Sequence, residues 1–595
     1  MGCAMAAQAQ APQLNLPDPV AEQRRAQERQ QEQQQRIEQQ SERGQPEAPA
    51  VATPTNPYAR LPSDESPCFI LHRIQFQAPD GQAVAPALMS GLDTAVLMSR
   101  EPDSRQRVDD SPIDRCVGAN GINTLLERAQ NHLIDRGYIT SRALAGAQDL
   151  KSGVLNITIV PGYVTAIRAK PAEAVEGAEP TSGRHIGAAG LYTALPTGAG
   201  RLLNLRDIEQ GLENLKRAPT ADADIQIVPA DPASLPAGAP AFGQSELQVA
   251  YQQGRPVRFG VSLDDSGTRG TGKYQGGITF SVDSPLGLND LFYVSLNHGL
   301  AGSARGTRGH VISYSIPFGY WTLGANWNAN RYHQTVAGAS QSYVYRGHGT
   351  GAEVFASRVL YRDAQRKTMA TIKGWHRTSR NFIDDTEIEV QRRRVGGWAA
   401  QIGHREYFGK SSLDLNVAYK RGTGAFGTLA APEEGFGEGT SRFALITADA
   451  SLNIPFTVGD QPFRYQGQWR WQTHRTPLTP QDRMAIGGRY TVRGFDGENS
   501  LMGERGWLLR NDLGWQLPQA GLELYLGLDY GRVGGPSTPW QLGRSLGGAV
   551  LGVRGSGSGA AKGLSYDFFI GAPVHKPSGF KTASTTFGFN LHWQF

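Results

Sequence analysis

From about Arg255 to Phe595, apolar and polar side chains change places at every second position, and this constrains the fold more than any other feature. At the C-terminus Phe587, Phe589, Leu591, Trp593 and Phe595 share one face, opposite Gly588, Asn590, His592 and Gln594. Leu522, Leu524, Leu526, Leu528 and Tyr530 alternate with Glu523, Tyr525, Gly527, Asp529 and Gly531. Trp321 to Asn328 and Phe463 to Trp471 repeat the pattern. A period of two is that of a strand. A soluble sandwich alternates as well. Here, however, the strands are many, aromatics gather near their ends, and the second face carries Asn, Gln, Arg and Asp. An apolar outside around a polar inside is the pattern of a transmembrane barrel. Segments marked in this way predict about sixteen antiparallel strands of roughly ten residues over 255–595. No apolar run is long enough for a membrane helix, a fact that does not bear on a barrel. The 73 Gly among 595 residues suit many strands joined by turns.

Before Arg255 the periodicity is different. Over 68–161, Phe69 to Phe76 reads as a strand. Ile122 to Arg136 reads as a helix stopped at Gly137, and Leu155, Ile157 and Ile159 mark a half-buried strand. Over 162–254 the order repeats. Gly162 to Ala169 is strand-like, Asn204 caps a helix with Leu205, Ile208, Leu212 and Leu215 on one face, and Asp224 to Val228 and Glu246 to Tyr251 follow as strands. Two successive βααββ units result. Cys68 and Cys116 flank parts of the first unit and suit a disulfide in an oxidising compartment; two unpaired buried thiols are the other reading.

Residues 44–67 are a Pro-rich linker. From Pro19 to Arg43 nearly every residue is Gln, Glu or Arg, with Val20 and Ile37 the only sizeable apolar side chains. Such a segment is a helix in a wet surround or is disordered, and composition alone favours disorder. Residues 1–12, with Ala7-Gln8-Ala9, resemble the tail of a secretory signal without its charged and apolar regions. The net charge of +5 is small for this length, and no Lys/Arg block points to a nucleic-acid partner.

Gly267-Thr-Arg-Gly-Thr-Gly272-Lys273-Tyr274 nearly spells a phosphate-binding loop, but Tyr274 stands where a magnesium-holding hydroxyl belongs, and the segment joins two strands. Gly555 to Gly559 reads as a hairpin turn. No nucleophile elbow or metal-spaced His/Cys cluster is found. The residues therefore predict no enzyme, no nucleotide, no metal and no cofactor.

The informative stretch lies in a long loop, 474–505: Ile486-Gly-Gly-Arg489-Tyr-Thr-Val492-Arg493-Gly494-Phe495-Asp496-Gly497. Arg493 sits between apolar Val492 and Phe495, as in a tip packed against something. Alternation puts Asp529 on the inward face of its strand, where it needs a cation or water, and a forked Arg–Asp contact would serve.

These residues resemble the two-partner secretion transporters (the TpsB family) of the bacterial outer membrane. Val492-Arg493-Gly494-Phe495 is similar to that family's loop-tip motif, and Gly527-Leu-Asp529-Tyr-Gly531 to its partner strand motif. Gly137-Tyr-Ile-Thr-Ser-Arg142 with Gln148-Asp149-Leu150 resembles the first POTRA domain, and Asn204 to Glu213 the second. The Cys68–Cys116 pair resembles the haemolysin-type branch. The resemblance implies a plug helix over 13–43 in the barrel lumen, POTRA domains at 68–161 and 162–254 in the periplasm, and a barrel at 255–595. It also implies an Arg493–Asp529 pair, which in a water-filled lumen would contribute about 1 kcal/mol. The implied activity is export of a large partner exoprotein bearing an N-terminal secretion domain. That partner would be an adhesin, a haemolysin or a contact-dependent growth-inhibition toxin, and outer-membrane lipid would surround the barrel. A barrel-assembly insertase and a passive porin are the rival readings. Two POTRA units with a polar leading helix disfavour the first, and the folded domains and long loop disfavour the second.

Overall fold

The computed structural model of the chain describes residues 59–100, 107–170, 185–231, 243–300, 306–337 and 342–595. The expected leader (1–12), the plug segment (13–43) and most of the linker (44–67) lie outside the described residues.

In the first unit the long helix is Ala119–Asp135, starting three residues before the predicted Ile122. Its first turn is met from the linker by the Glu65 carboxylate, which accepts the backbone N–H groups of Gly118, Asn120 and Gly121 at 2.8, 2.9 and 2.9 Å. An anion suits the positive end of a helix. Burial raises the Glu65 pKa, the three N–H donations lower it by more, and the net direction is down. The helix stops where Gly137 takes φ +90°, a conformation that other residues rarely adopt. Leu125, Ala129 and Leu133 are buried against Leu155, Ile157 and Ile159 of strand Val154–Val160.

The single strand expected over Phe69 to Phe76 is two strands, Phe69–Leu71 and Arg73–Gln77. The break falls at His72, where the chain changes partner. Phe69–Leu71 pairs antiparallel with Arg115–Val117, whereas Arg73–Gln77 runs parallel to Val154–Val160. The N–H groups of His72 and Arg73 both donate to the Gly153 carbonyl and satisfy the corner. Cys68 and Cys116 are joined by a disulfide across a Cα–Cα distance of 5.3 Å. Such a cross-link typically contributes about 2–4 kcal/mol.

In the second unit helix Leu205–Leu215 starts at Asn204, whose side-chain oxygen accepts the Arg206 N–H at 2.9 Å. Leu205, Ile208, Leu212 and Leu215 are buried. The sheet places Gln244–Gln253 between Tyr163–Lys170 and Ala221–Pro229. The two units are tied directly, because the Leu205 N–H donates to Gly137 O at 2.8 Å and Asn204 Nδ2 to Arg136 O at 3.1 Å.

Sixteen antiparallel strands, from Val257–Asp264 to Thr586–Gln594, close a barrel, with the two-residue strand Thr386–Glu387 as an annex. The seam pairs Gly260 with Gln594 through to Asp264 with Asn590. Alternation sorts the faces as the sequence predicts. Ile372, Leu551 and Phe587 point outward and are exposed, while Trp375, Val550 and Gly588 are buried on the other side. Strand length departs from the expected ten residues. Trp321–Ala337, Ser342–Arg362, Arg366–Ile383 and Arg393–Phe408 hold 17, 21, 18 and 16 residues. About 9–11 residues cross a bilayer, so these strands raise one side of the wall beyond the hydrocarbon.

Short turns such as Gly319-Tyr320 and Gly409-Lys410 gather at one end of the barrel, and the second unit docks there. The Tyr320 hydroxyl donates to Asp207, Asn214 Nδ2 donates to Gly319 O at 2.8 Å, and Asn289 Nδ2 donates to Gly190 O at 2.8 Å. Glu213 accepts Arg362 Nη1 at 2.6 Å and also Lys367 Nζ. The long loops lie at the other end.

Candidate functional site in the barrel lumen

The long segment between strands Gln461–His474 and Arg505–Leu517 turns back into the barrel instead of standing outside it. A small hairpin, Met484–Ile486 with Leu501–Gly503, forms its stem. Val492 and Phe495 are buried with Ile486, Leu501, Leu508, Val533, Leu546 and Phe580 in an apolar cluster inside the barrel, separate from a second one around Trp375 and Phe443. At roughly 25 cal/mol per Å² of buried apolar surface, each of these side chains stabilises the folded loop by about 1.5–3 kcal/mol. Hydrophobic burial therefore seats the tip, and the charges orient it.

Between those two anchors Arg493 meets Asp529. Nε and Nη2 donate to Asp529 Oδ2 and Oδ1 at 2.7 Å each, and the Arg493 backbone N–H donates to Oδ2 at 2.9 Å. The pair is dry, not screened as expected from a water-filled lumen, since the two side chains are 4% and 1% exposed. It also is not alone. Arg493 Nη2 donates to Asp512 as well, and Asp512 accepts Arg554 Nη1 at 3.0 Å. Arg554 Nε goes on to Glu523 at 2.9 Å, and Glu523 also holds Arg464. The Tyr525 ring underlies Arg554 at 4.5 Å and donates its hydroxyl to Asp567 at 2.8 Å. Positive and negative groups thus alternate along a chain of side chains, which is how buried charge is tolerated.

The strand register explains the vacancy that Arg493 fills. Asp512 stands directly opposite Gly527, and Asp529 directly opposite Gly548. A Cβ on Gly527 would lie 2.7 Å from Arg493 Nη2 and 2.8 Å from Asp512 Oδ1. A Cβ on Gly548 would lie 1.8 Å from Arg493 O. Gly494 has φ +90° and passes so close to strand Leu564–His575 that a Cβ would meet Ala572 O at 2.5 Å. Gly531 gives room to Ile486 and Val492. All the loop-tip and strand residues singled out from the sequence (Val492, Arg493, Gly494, Phe495, Gly527, Asp529 and Gly531) are therefore brought to one place, whereas Cys68 and Cys116 lie apart in the first unit.

Asp512, Arg554, Glu523 and Gly548 were missed by the sequence reading. The alternation that put Asp529 inward also puts Asp512 inward, between outward Leu513 and Trp515 on one side and Trp507 on the other. Gly548 has no such signal, because its role comes from register.

Further contacts strap the loop to its neighbours. Arg489 holds Asp265 and donates to Phe589 O at 2.7 Å. The Asp496 carboxylate accepts the Ala583 N–H at 2.8 Å, and Glu498 accepts the Arg269 N–H at 3.0 Å. The segment from Gly267 to Tyr274, rejected above as a phosphate-binding loop, joins strands Val257–Asp264 and Gln275–Asp283, and its buried Thr268 and Thr271 bond each other while Thr271 O accepts from Thr307. Among the described residues no group of three His, Cys, Asp or Glu is arranged to hold a metal ion.

Comparison with known proteins places this geometry. Residues 243–555 match a family model described as haemolysin secretion/activation protein ShlB/FhaC/HecB. Residues 96–162 match a ShlB-type POTRA domain and residues 172–229 a further POTRA domain. The chain is 37% identical over 541 residues to outer membrane transporter CdiB-2 of Burkholderia pseudomallei (strain 1026b), covering 90% of this chain and 88% of that protein. It is 24% identical over 449 residues to hemolysin transporter protein HpmB of Proteus mirabilis, covering 73% and 74%. Among solved structures, CdiB from Acinetobacter baumannii superposes with a TM-score of 0.80 at 30% identity, over 98% of this chain and 100% of that one. CdiB from Escherichia coli gives 0.78 at 26% identity, over 98% and 99%.

Proposed function

This chain belongs to the haemolysin secretion/activation family, the two-partner secretion transporters of the bacterial outer membrane, and from that premise we propose how it exports its partner exoprotein. The observation that carries the reading is the continuous build from folded domains to pore. Two POTRA units are tied to each other at Gly137 and docked on the short-turn rim at Asp207, Glu213 and Asn214. The POTRA domains lie in the periplasm and the long-loop end faces outside.

The partner arrives unfolded and is recognised through an N-terminal secretion domain. Tyr163–Lys170 and Ala221–Pro229 are the edges of the second POTRA sheet. Backbone N–H and C=O groups on such an edge can pair with an incoming strand. The partner then passes the barrel, and its folding outside prevents return, so no nucleotide is consumed. Residues 13–43 plug the lumen between events. The loop tip at Arg493, held to Asp529 and Asp512, keeps the lumen wall in its conducting shape. Outer-membrane lipid bathes the outward aromatic and aliphatic side chains.

The test is reconstitution in a strain lacking this system, with the transporter expressed beside a candidate large exoprotein from the same genome. The exoprotein should reach the cell surface with the intact chain and remain periplasmic, and be degraded, without it. Loss of other barrel proteins on deletion of the chain would favour an insertase instead. Surface delivery of the exoprotein without the chain would end the proposal.

A further inference from the structure

Basic side chains occupy one register row on the lipid side of the barrel wall. His298 stands opposite Arg308, Arg308 opposite Arg331, Arg331 opposite His348, and His348 opposite Arg380. Their direction is fixed by neighbours in the same strands. Leu296, Ile312, Trp327, Val354 and Ile372 lie at even offsets and are exposed outward, whereas Tyr332, Tyr345 and Asn381 lie at odd offsets and are buried on the lumen side.

The height of the row follows from strand geometry. Arg331 is ten residues beyond Trp321, the outward aromatic at the short-turn end of its strand. At about 3.3 Å per residue and a tilt of about 40°, that is a rise of about 25 Å, the height of the apolar band of such barrels. The row thus lies where the hydrocarbon of the outer leaflet ends. Strands Trp321–Ala337 and Ser342–Arg362 continue past it, so these cations stand on rigid wall and not on loop tips.

Like charges directly opposite one another on a sheet face repel. Arg308 relieves part of this by donating Nε to His298 Nε2 at 3.1 Å. Among the described residues no carboxylate lies within ion-pair distance of Arg331, Arg380 or Arg394. Glu387, the acid beside them, is taken by Arg392 through bonds of 2.7 and 2.8 Å. One end of the row opens into a pocket of about 230 Å³ lined by His348, Thr350, Thr378, Arg380, Arg392 and Arg394. The Thr350 and Thr378 hydroxyls lie 2.7 Å apart in it. Several guanidinium forks beside hydroxyl donors form a setting for a tetrahedral phosphate.

We propose that this row and pocket bind the phosphate groups of a phosphorylated glycolipid of the outer leaflet, whose acyl chains lie against the apolar wall below. The inference rests on the outer-membrane placement given above and assigns the wall a specific lipid, independent of the export path through the lumen.

The experiment uses the full chain in detergent, titrated by native mass spectrometry with three probes: lipid A carrying two phosphates, lipid A stripped of them, and inorganic phosphate. The bisphosphorylated lipid should bind at least about tenfold more tightly than the stripped one, as charge-assisted contacts require. The combined change Arg331→Gln, Arg380→Gln and Arg394→Gln should erase that preference. Arg358→Gln, on the outward wall beside Trp321 at the opposite end, should leave it intact. Heat-modified gel mobility reports whether each variant is folded, and the comparison of lipids on the unchanged chain needs no variant. Equal binding of the two lipids overturns the proposal. So does inorganic phosphate that displaces lipid A at matching concentrations, because the site would then belong to a soluble anion. Membrane fractionation of the same cells scores the outer-membrane premise separately.

Discussion

Truncating Arg493 strips Asp529 of its forked partner and leaves Asp512 with Arg554 alone, whereas truncating either aspartate leaves the guanidinium one partner. That asymmetry ranks the variants. Arg493→Ala should destabilise the folded barrel by about 3–5 kcal/mol, the usual effect of breaking a buried ion pair from one side. Asp529→Ala and Asp512→Ala should each do less, and the double variant Asp512→Ala/Asp529→Ala should match or exceed Arg493→Ala. Thermal melting of the SDS-resistant barrel measures this, and surface delivery of the exoprotein measures function. Strictly additive losses for the two aspartates would mean they do not share Arg493. Arg493→Lys, which keeps charge but not the planar fork, should behave closer to Ala than to Arg. Gly548→Ala changes no charge, yet its methyl group would fall on the Arg493 carbonyl. It should cut export as deeply as Arg493→Ala while the barrel still inserts. Normal secretion by that variant would show that the tip has more room than its packing indicates.

The helix Leu205–Leu215 carries the junction between the folded units and the pore, and Glu213 makes that junction sensitive to acid. Burial pushes its pKa up, Lys367 and Arg362 pull it down by more, and the result is about 2 against the ordinary 4.5. A carboxylate whose pKa is depressed on docking stabilises the docked state above the undocked value and ceases to do so as pH falls through the docked one. The contribution is at most on the order of 3 kcal/mol, present at pH 5 and lost between pH 4.5 and about 2. Hydrogen exchange at Gly319 and Tyr320 should therefore quicken over that window, and Glu213→Gln should quicken it at pH 5 and flatten the dependence. An unchanged profile in the variant would remove Glu213 from the junction. Elements of this kind are only partly readable from sequence. Leu205, Ile208, Leu212 and Leu215 announce the helix and its buried face, because burial imposes a period on the chain. Glu213 lies on the opposite side and looks like any solvated acid, since its partners Arg362 and Lys367 are about 150 residues away. The same distinction divides the lumen site. Asp529 shows itself through alternation, while Gly548 depends on which residue the neighbouring strand sets against it. The break at His72 was invisible for a third reason: both halves of Phe69 to Phe76 are strand, and only the change of partner separates them.

Outside its two apolar clusters the lumen carries polar side chains such as Asn326, Asn328 and Gln466, and the segment from Pro19 to Arg43 is polar in composition. A plug of that chemistry fills water-lined space without needing an apolar groove. Deleting 13–43 should raise single-channel conductance in planar bilayers; an unaltered conductance would dismiss the plug. The folded-in loop has another consequence, for the order in which the molecule is built. Arg493 finds Asp512 and Asp529 only 19 and 36 residues along the chain, and Asp496 reaches Ala583 at 87. The seam, in contrast, joins Asp265 to Phe589 across 324 residues. Closing short loops costs less entropy than closing long ones, and contacts near in sequence form first. The strands from Gln461 to His575, wrapped around their own loop, should therefore set as an open half-shell while the N-terminal strands are still unpaired. Pulse-labelled hydrogen exchange during refolding into micelles should protect amides of Leu522–Gly534 before those of Val257–Asp264; the reverse order would refute this. On this view the loop is first a mould, around which one side of the cylinder takes its curvature before there is a cylinder for anything to pass through.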